Sequence, residues 1–234
     1  MRTTKPTLVA FIFALSLSSF SQSSSATSDS NFELGLATGY NRGFGINASI
    51  TAVKPLESLD INFRFGFGYT SLDPGNSADA RRIFINNATN GVPEEKGRNF
   101  DYRLDFLWHS TILNLEETYI VFGPRYSSFR ANFKYVGGNE DFDVTTRQFG
   151  LGLGLESHFK INSRLKLTTA IGLDYFFNNT LKGHDTSYSP DNDNVNPRDD
   201  NQNNNTEFTY EDANDAIKQP QIMPRIFLGI AYKI

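Results

Sequence analysis

Apolar residues return at every second position along most of this chain. The longest run is Gln148 to Lys160, where Phe149, Leu151, Leu153, Leu155 and Phe159 alternate with Gly150, Gly152, Gly154, Glu156 and His158. A period of two puts the bulky residues on one face of a strand. A helix is excluded there, because each of the three glycines would cost it about 1 kcal/mol. The same alternation predicts seven further strands: Phe32 to Tyr40, Phe44 to Ala52, Leu59 to Tyr69, Phe100 to Trp108, Ile120 to Tyr126, Leu165 to Phe177 and Ile222 to Ile234. Pro124, awkward in a ladder, predicts a local bulge. After Tyr126 the phase of the pattern flips, with Phe129, Ala131, Phe133 and Tyr135 on one side.

Turn residues divide the strands. Asn41-Arg42-Gly43, Lys54-Pro55-Leu56-Glu57-Ser58, Asn114-Leu115-Glu116-Glu117, Gly137-Gly138-Asn139 and Ile161-Asn162-Ser163-Arg164 all read as turns. Two connections are long, residues 73–98 and 178–221. The first has room for a short helix around Ala78 to Ile85, the second for one or two turns at Glu211 to Lys218. The second is rich in Asn and Asp and reads as unable to bury a core. Both long loops, and the extended hairpin between the fifth and sixth strands, fall at one end. The prediction is an all-β fold, an eight-stranded antiparallel up-and-down barrel.

Alternation alone does not say which face is inside. Volume decides. The lumen of an eight-stranded barrel has room for few side chains, and the apolar face of these strands carries mostly Phe, Leu, Ile and Tyr. The other face is Gly, Ala, Ser and Thr interrupted by charges of both signs, which suits a narrow lumen. The apolar face is therefore expected to meet lipid, in a barrel that spans a membrane with every backbone group paired. Tyr40, Tyr69, Tyr102, Tyr126 and Tyr175 near one end, and Phe32, Trp108, Phe159 and Tyr232 near the other, fit interfacial girdles.

The N-terminus agrees with that route. Arg2 and Lys5 precede the apolar run Leu8 to Leu17, and small residues follow to Gln22. This is the pattern of a secretory signal, too short to span a bilayer. The expected organisation is a signal peptide over 1–21, a polar lead-in over 22–30 and the barrel over 31–234. The chain has 234 residues, a formal net charge of -4 and no cysteine. The charge gives no basic footprint for nucleic acid. The absence of cysteine removes disulfides, thiolate metal sites and cysteine catalysis.

With the signal segment, the strand alternation, the loop asymmetry and the strand count, residues 31–234 resemble the small eight-stranded outer-membrane barrels, such as the OmpA transmembrane domain and OmpX. The Phe-Gly-Leu-Gly-Leu-Gly-Leu strand and the Asn/Asp-rich last loop are similar to barrels of Bacteroidetes-type bacteria. The resemblance implies the outer membrane of a Gram-negative cell. It also implies contact with the bilayer and its lipopolysaccharide, insertion by the barrel-assembly machinery, and a monomer. The ending Tyr232-Lys233-Ile234 departs from the terminal Phe or Trp usual in that class, and no peptidoglycan-binding domain is expected after the last strand.

Three groups of residues are candidates for chemistry. The inward charges are the largest: Glu33, Asp60, Arg64, Asp101, Arg103, Asp105, Arg125, Arg147, Glu156, His158, Lys166, Asp174, Arg225 and Lys233. Within them, Arg64, Arg103, Asp105, Arg125, Glu156, Asp174 and Arg225 are expected to form a lumen charge network. Buried charges must pair, so a salt-bridged plug is favoured over an ion path. The second group is histidine and serine. A lipid hydrolase would need a Ser-His-acid set, but His109 and Ser110 are adjacent in a strand and point to opposite faces. His184-Asp185-Thr186-Ser187 in the last loop is the other candidate. The third is Asp191, Asp193, Asp199 and Asp200, a candidate weak cation-binding loop. Its spacing fails the EF-hand pattern, since Val195, Asn196 and Gln202 occupy the fifth, sixth and twelfth positions. No phosphate loop, dinucleotide fingerprint or zinc spacing is present, so no cofactor is expected. The expected function is a non-enzymatic outer-membrane barrel that displays loops and supports envelope integrity or surface contact. A lipid-modifying enzyme or a narrow pore is the alternative.

Overall fold

Eight long strands carry the alternation, and the structure pairs them edge to edge into a ring. The computed structural model describes residues 32–55, 60–85, 90–112 and 117–234. The strands are β1 (Phe32–Asn41), β2 (Gly43–Ala52), β3 (Ile61–Leu72), β4 (Val92–Ser110), β5 (Glu117–Val136), β6 (Asp141–Lys160) and β7 (Leu165–Phe176). Four two-residue strands follow in the last loop: β8 (Leu181–Lys182), β9 (Ser187–Tyr188), β10 (Asp199–Asp200) and β11 (Thr206–Glu207). The chain ends in β12 (Ile222–Lys233). Each long strand is antiparallel to its sequence neighbour. β12 pairs with β7 on one side and β1 on the other, Leu36 standing opposite Ile230. A closed barrel leaves no unpaired edge. The proposed signal peptide and lead-in, and the turns through Leu56–Ser58 and Asn114–Glu116, lie outside the described residues.

Burial fixes the faces. Leu153 is 61 % exposed and Ile226 60 %, whereas Arg125 and Asp105 are each 1 % exposed. Leu36, Ile46, Phe65, Leu104, Leu151, Leu173 and Leu228 join the exposed apolar set. Between the two aromatic rims every long strand therefore turns its apolar side outward and its small, polar or charged side into the lumen. Tyr40, Tyr102 and Tyr175 are exposed near one rim, and Phe32, Trp108, Phe159 and Tyr232 near the other.

The apolar pattern of β5 does change face after Tyr126, but one expectation is corrected: no bulge forms at Pro124. Pairing with β6 is continuous from Glu117↔His158 to Lys134↔Asp141. Pairing with β4 lapses between Arg103↔Arg125 and Phe106↔Phe122 without gaining or losing a residue. Proline has no N–H to donate, so the ladder skips it. Gly123 before it takes φ +155°, and a Cβ there would sit 1.9 Å from the Leu104 carbonyl oxygen. What changes along β5 is the environment. Phe129, Ala131, Phe133 and Tyr135 are buried inside, on the same face as Arg125, while Arg130 and Lys134 face out. β6 does the same, with Phe142 and Val144 buried inside and Arg147 exposed outside.

Those inward apolar residues belong to a second core. The first long loop is shorter than expected, because Val92 to Arg98 extend β4. It holds α1 (Ser77–Phe84), started by Asn76, whose side chain accepts from the Ala78 and Asp79 N–H groups. The last loop holds α2 (Tyr210–Ala216), started by a capping box between Thr209 and Asp212. The expectation that this loop buries nothing is wrong. Leu181, Tyr188, Phe208, Tyr210, Ala213 and Ile217 are buried against Leu72, Ile83, Phe84, Phe129, Phe133 and Val144. Its few apolar residues converge where the polar ones face water. Tyr188 Oη donates to the Ile83 carbonyl at 3.0 Å and accepts from the Arg198 N–H at 2.9 Å. The two loops also meet at a Gly75↔Ile217 bridge, and Asn76 N donates to the Ala216 carbonyl at 2.9 Å. The loops thus form an apolar cap over one end of the lumen.

Candidate functional site

The lumen below the cap is layered. Beneath the apolar core comes a collar of neutral polar groups, buried Asn41, Thr70, Asn99, Ser127 and Gln148. Asn41 donates to Thr70 Oγ1 at 3.0 Å, Ser127 to Asn99 Oδ1 at 2.6 Å, and Gln148 to the Phe177 carbonyl at 3.2 Å.

The charged layer follows. The structure brings Arg64, Arg103, Asp105, Arg125, Glu156, Asp174 and Arg225 together and adds Asp101. Arg64 Nη1 donates to both Glu156 oxygens at 2.7 and 2.8 Å, and its Nε donates to Asp105 Oδ2 at 3.0 Å. Arg125 Nη2 lies 2.7 Å from Asp105 Oδ1, and its Nε donates to Asp174 Oδ1 at 3.0 Å. Arg103 Nε bonds Asp101, while its Nη2 reaches Asp174 Oδ2 at 3.4 Å. Arg225 Nε is 2.9 Å from the same Asp174 oxygen. Four arginines and four carboxylates balance. Planar guanidinium forks serve two carboxylates at once, which a lysine ammonium does less well.

Towards the other rim the network continues. His158 Nε2 is 2.7 Å from Glu156 Oε1. Lys166 Nζ lies 2.9 Å from Glu33 Oε1 and 2.8 Å from Glu117 Oε2. The sequence reading puts Glu117 in a turn. The structure makes it the first residue of β5, on the inward face with Tyr119 and Val121, and that parity was available in the alternation. Two expected members are elsewhere. Arg147 is exposed on the outer face, and Asp60 is exposed at the near rim, 3.0 Å from Lys54.

Glycine makes room for this layer. A Cβ on Gly152 would stand 2.3 Å from both Arg125 Nη2 and Asp174 Oδ1, and one on Gly68 would stand 2.6 Å from Asp101 Oδ1. Free space is small. A cavity of about 50 Å³ is lined by Arg64, Arg103, Glu156 and Arg225 together with Gly35, Ala37, Asn47 and Ser49. That holds a few waters.

The other candidate residues are dispersed. His184 Nδ1 lies 2.8 Å from the carboxylate of its own neighbour Asp185, both largely exposed. His109 packs edge-on to Tyr119 and lies 3.6 Å from Asp60. The four loop aspartates are not gathered. Asp200 pairs with Arg82 at 3.0 Å, Asp199 opposes Glu207, and Asp191 accepts from the Asp193 N–H. Among the described residues no three His, Asp or Glu side chains converge on a metal-sized space. The spacing of four acids in a loop says nothing about where the loop turns, and Arg82 of α1 takes the one that is buried.

No protein-family model and no curated protein matches the chain. Among solved structures it is similar to a major outer membrane protein from Thermus thermophilus. The TM-score is 0.67 and the identity 23%, over 86% of this chain and 97% of that one. That likeness places the fold. CarO of Acinetobacter baumannii aligns with a TM-score of 0.39 and 14% identity, over 88% of this chain and 98% of that one.

Proposed function

We propose that this chain is a bacterial outer-membrane barrel that holds a capped rim of loops at the cell surface, without catalysis and without an open channel. One observation carries the reading: through the belt, every long strand exposes its apolar side and turns its small, polar or charged side into the lumen. A soluble protein of this size would leave an unbroken apolar belt in water, which monomers avoid. The belt also has the right height. Along β6 the outward apolar residues run from Phe149 to Phe159, about 33 Å of strand. At a tilt of about 40° that is a band about 25 Å tall.

The lumen favours a plug over a pore. Paired charges fill the layer around a cavity of about 50 Å³, and an apolar core lies at the rim above it. The dispersal of His109, His184 and Ser187 favours a non-enzymatic role. The name of the Thermus neighbour supports the outer membrane. Strand count and loop asymmetry favour a small OmpA- or OmpX-like barrel of a Gram-negative, Bacteroidetes-like envelope. Its partners would be the bilayer with its lipopolysaccharide and the assembly machinery, and it would act as a monomer.

The test is reconstitution of the protein into planar bilayers after membrane fractionation, with lipid mass spectrometry of cells carrying or lacking it. Outer-membrane recovery, heat-modifiable gel mobility, background conductance and an unchanged acyl pattern are expected. Steady conductance would favour the pore. A changed acyl pattern would favour the enzyme, and a soluble periplasmic monomer would end the reading altogether.

A further inference from the structure

The outer face above the belt is not uniform. Tyr102, Tyr126 and Phe149 form one row across β4, β5 and β6, with ring centroids 6.2 and 5.2 Å apart. The next row is Phe100, Ser128 and Arg147, and the one above it is Arg98, Arg130 and Thr145. Lys182 of β8 continues that row beside Thr145. Arg98, Arg130, Arg147 and Lys182 are all exposed. Arg98 stands directly opposite Arg130, a like-charge pair that sheets disfavour. Asp143 compensates Arg130. Among the described residues no ion pair reaches Arg98, Arg147 or Lys182.

Two hollows flank Arg147 along β6. Above, Arg147 and Lys182 with Thr145, Asn179 and Thr180 enclose about 350 Å³. Below, on the belt itself, Phe122, Pro124, Leu151, Leu153, Leu173 and Tyr175 line an almost wholly apolar trough of about 1080 Å³. Arg147 and Leu151 are four residues apart, about 13 Å of strand. A cationic row over an apolar trough, at the level where aromatic rings mark the interface, matches an amphiphile with an anionic head. Guanidinium forks recognise phosphate bidentately, and the lysine adds a point charge.

We propose that the β4–β5–β6 wall is a binding site for a phosphorylated, acylated glycolipid of the leaflet on the long-loop side. Its phosphate lies among Arg98, Arg147 and Lys182, and an acyl chain lies in the trough beside Leu151 and Leu153. The site relieves the Arg98–Arg130 opposition, and it makes one wall of the barrel, not its whole girth, the preferred lipid contact. The proposal rests on the outer-membrane reading.

The test is native mass spectrometry of the full chain, folded in detergent, with bisphosphorylated lipid A, the same lipid A after phosphatase treatment, and glucosamine 1-phosphate. Retention of bisphosphorylated lipid A is expected. Loss of the phosphates, or the Arg98→Gln, Arg147→Gln and Lys182→Gln triple variant, should weaken it by about a hundredfold. Glucosamine 1-phosphate should not compete at equal concentration. Equal retention by the triple variant, or of phosphate-free lipid A, would overturn the site. Competition by the sugar phosphate would make it a soluble-anion site instead. Heat-modifiable mobility checks that the variant folds. If the triple variant does not fold, Lys182→Gln alone, on a two-residue strand of the loop, should still weaken retention severalfold, and no change would overturn the proposal. Failure of the wild-type chain to enter vesicles refutes the outer-membrane reading. Insertion without discrimination between the lipids refutes the lipid site alone.

Discussion

Arg103 and Arg125 stand directly opposite each other across the β4–β5 ladder, both pointing into the lumen and both buried. Their repulsion is tolerated because Asp174, from β7, hydrogen-bonds Arg125 and forms ion pairs with Arg103 and Arg225 as well. One carboxylate thus ties β4, β5 and β12 together through the lumen.

Asp174→Asn should therefore be the most damaging conservative change in the layer. Removing one partner of a buried pair costs about 3–5 kcal/mol, and here three cations lose the same anion. Urea unfolding in vesicles measures it against Asp191→Asn, an exposed loop control. Equal midpoints for the two variants would deny Asp174 its central place.

Clearance at glycine gives a second contrast. Gly152→Ala forces a methyl against Arg125 and Asp174, whereas the nearest atom to a Cβ on Gly66 is a comfortable 3.5 Å away. The first should cost about 1–3 kcal/mol as overpacking does, and the second should be near neutral. The same unfolding assay reads both, and a neutral Gly152→Ala would mean that the network shifts freely.

Depth along the outer face is testable by charge insertion. Leu153 sits mid-belt, while Thr145 faces outward above the aromatic row. Arg at the midplane costs about 2–4 kcal/mol and near the interface about 0–1. Leu153→Arg should fold into vesicles poorly and Thr145→Arg nearly normally. Equal losses would show that the belt does not meet lipid.

Acid should loosen the cap. Burial alone would raise the Asp73 carboxyl, but Lys218 and the Gly75 N–H outweigh it and hold it below the usual carboxylate range. A carboxyl lower in the folded state than in the unfolded one stabilises above its unfolded value. That contribution fades as pH drops below about 4. Hydrogen exchange of the α2 amides should accelerate there, and Asp73→Asn should abolish the pH step while leaving fast exchange throughout. A step that survives the substitution would assign it to another carboxylate.

Most of the barrel was legible because its rule is local. A period of two sets each strand's faces, and the lumen's narrowness sets which face is inside. Arg64, Arg103, Arg125, Glu156 and Asp174 followed from parity alone. The pairing followed only in part: the expected join of Arg103 or Arg125 to Glu156 or Asp105 is met by Arg125 with Asp105, but which fork reaches which carboxylate depends on stagger between strands. Glu156 meets Arg64 of β3, across the lumen, and not Arg125 of the neighbouring β5. The cap was misread because Tyr188, Phe208 and Ile217 are scattered among Asn and Asp. Composition averages over them, whereas packing needs only that they converge on α1. Arg147 was placed inside because the expected phase change at β5 obscured that β4, β5 and β6 run straight past the belt.

That straight run has a mechanical consequence. On β5 and β6 the outward surface changes from Tyr126 and Phe149 to Arg130 and Asp143 within a few residues, while the inward surface turns from charged to apolar over the same stretch. A barrel pushed deeper would drag charges into oil, and one drawn out would strand rings in water. In the proposed membrane the chain would float at a set draught, like a hull with its waterline marked, and the rim it carries would stand at a constant height above the surface.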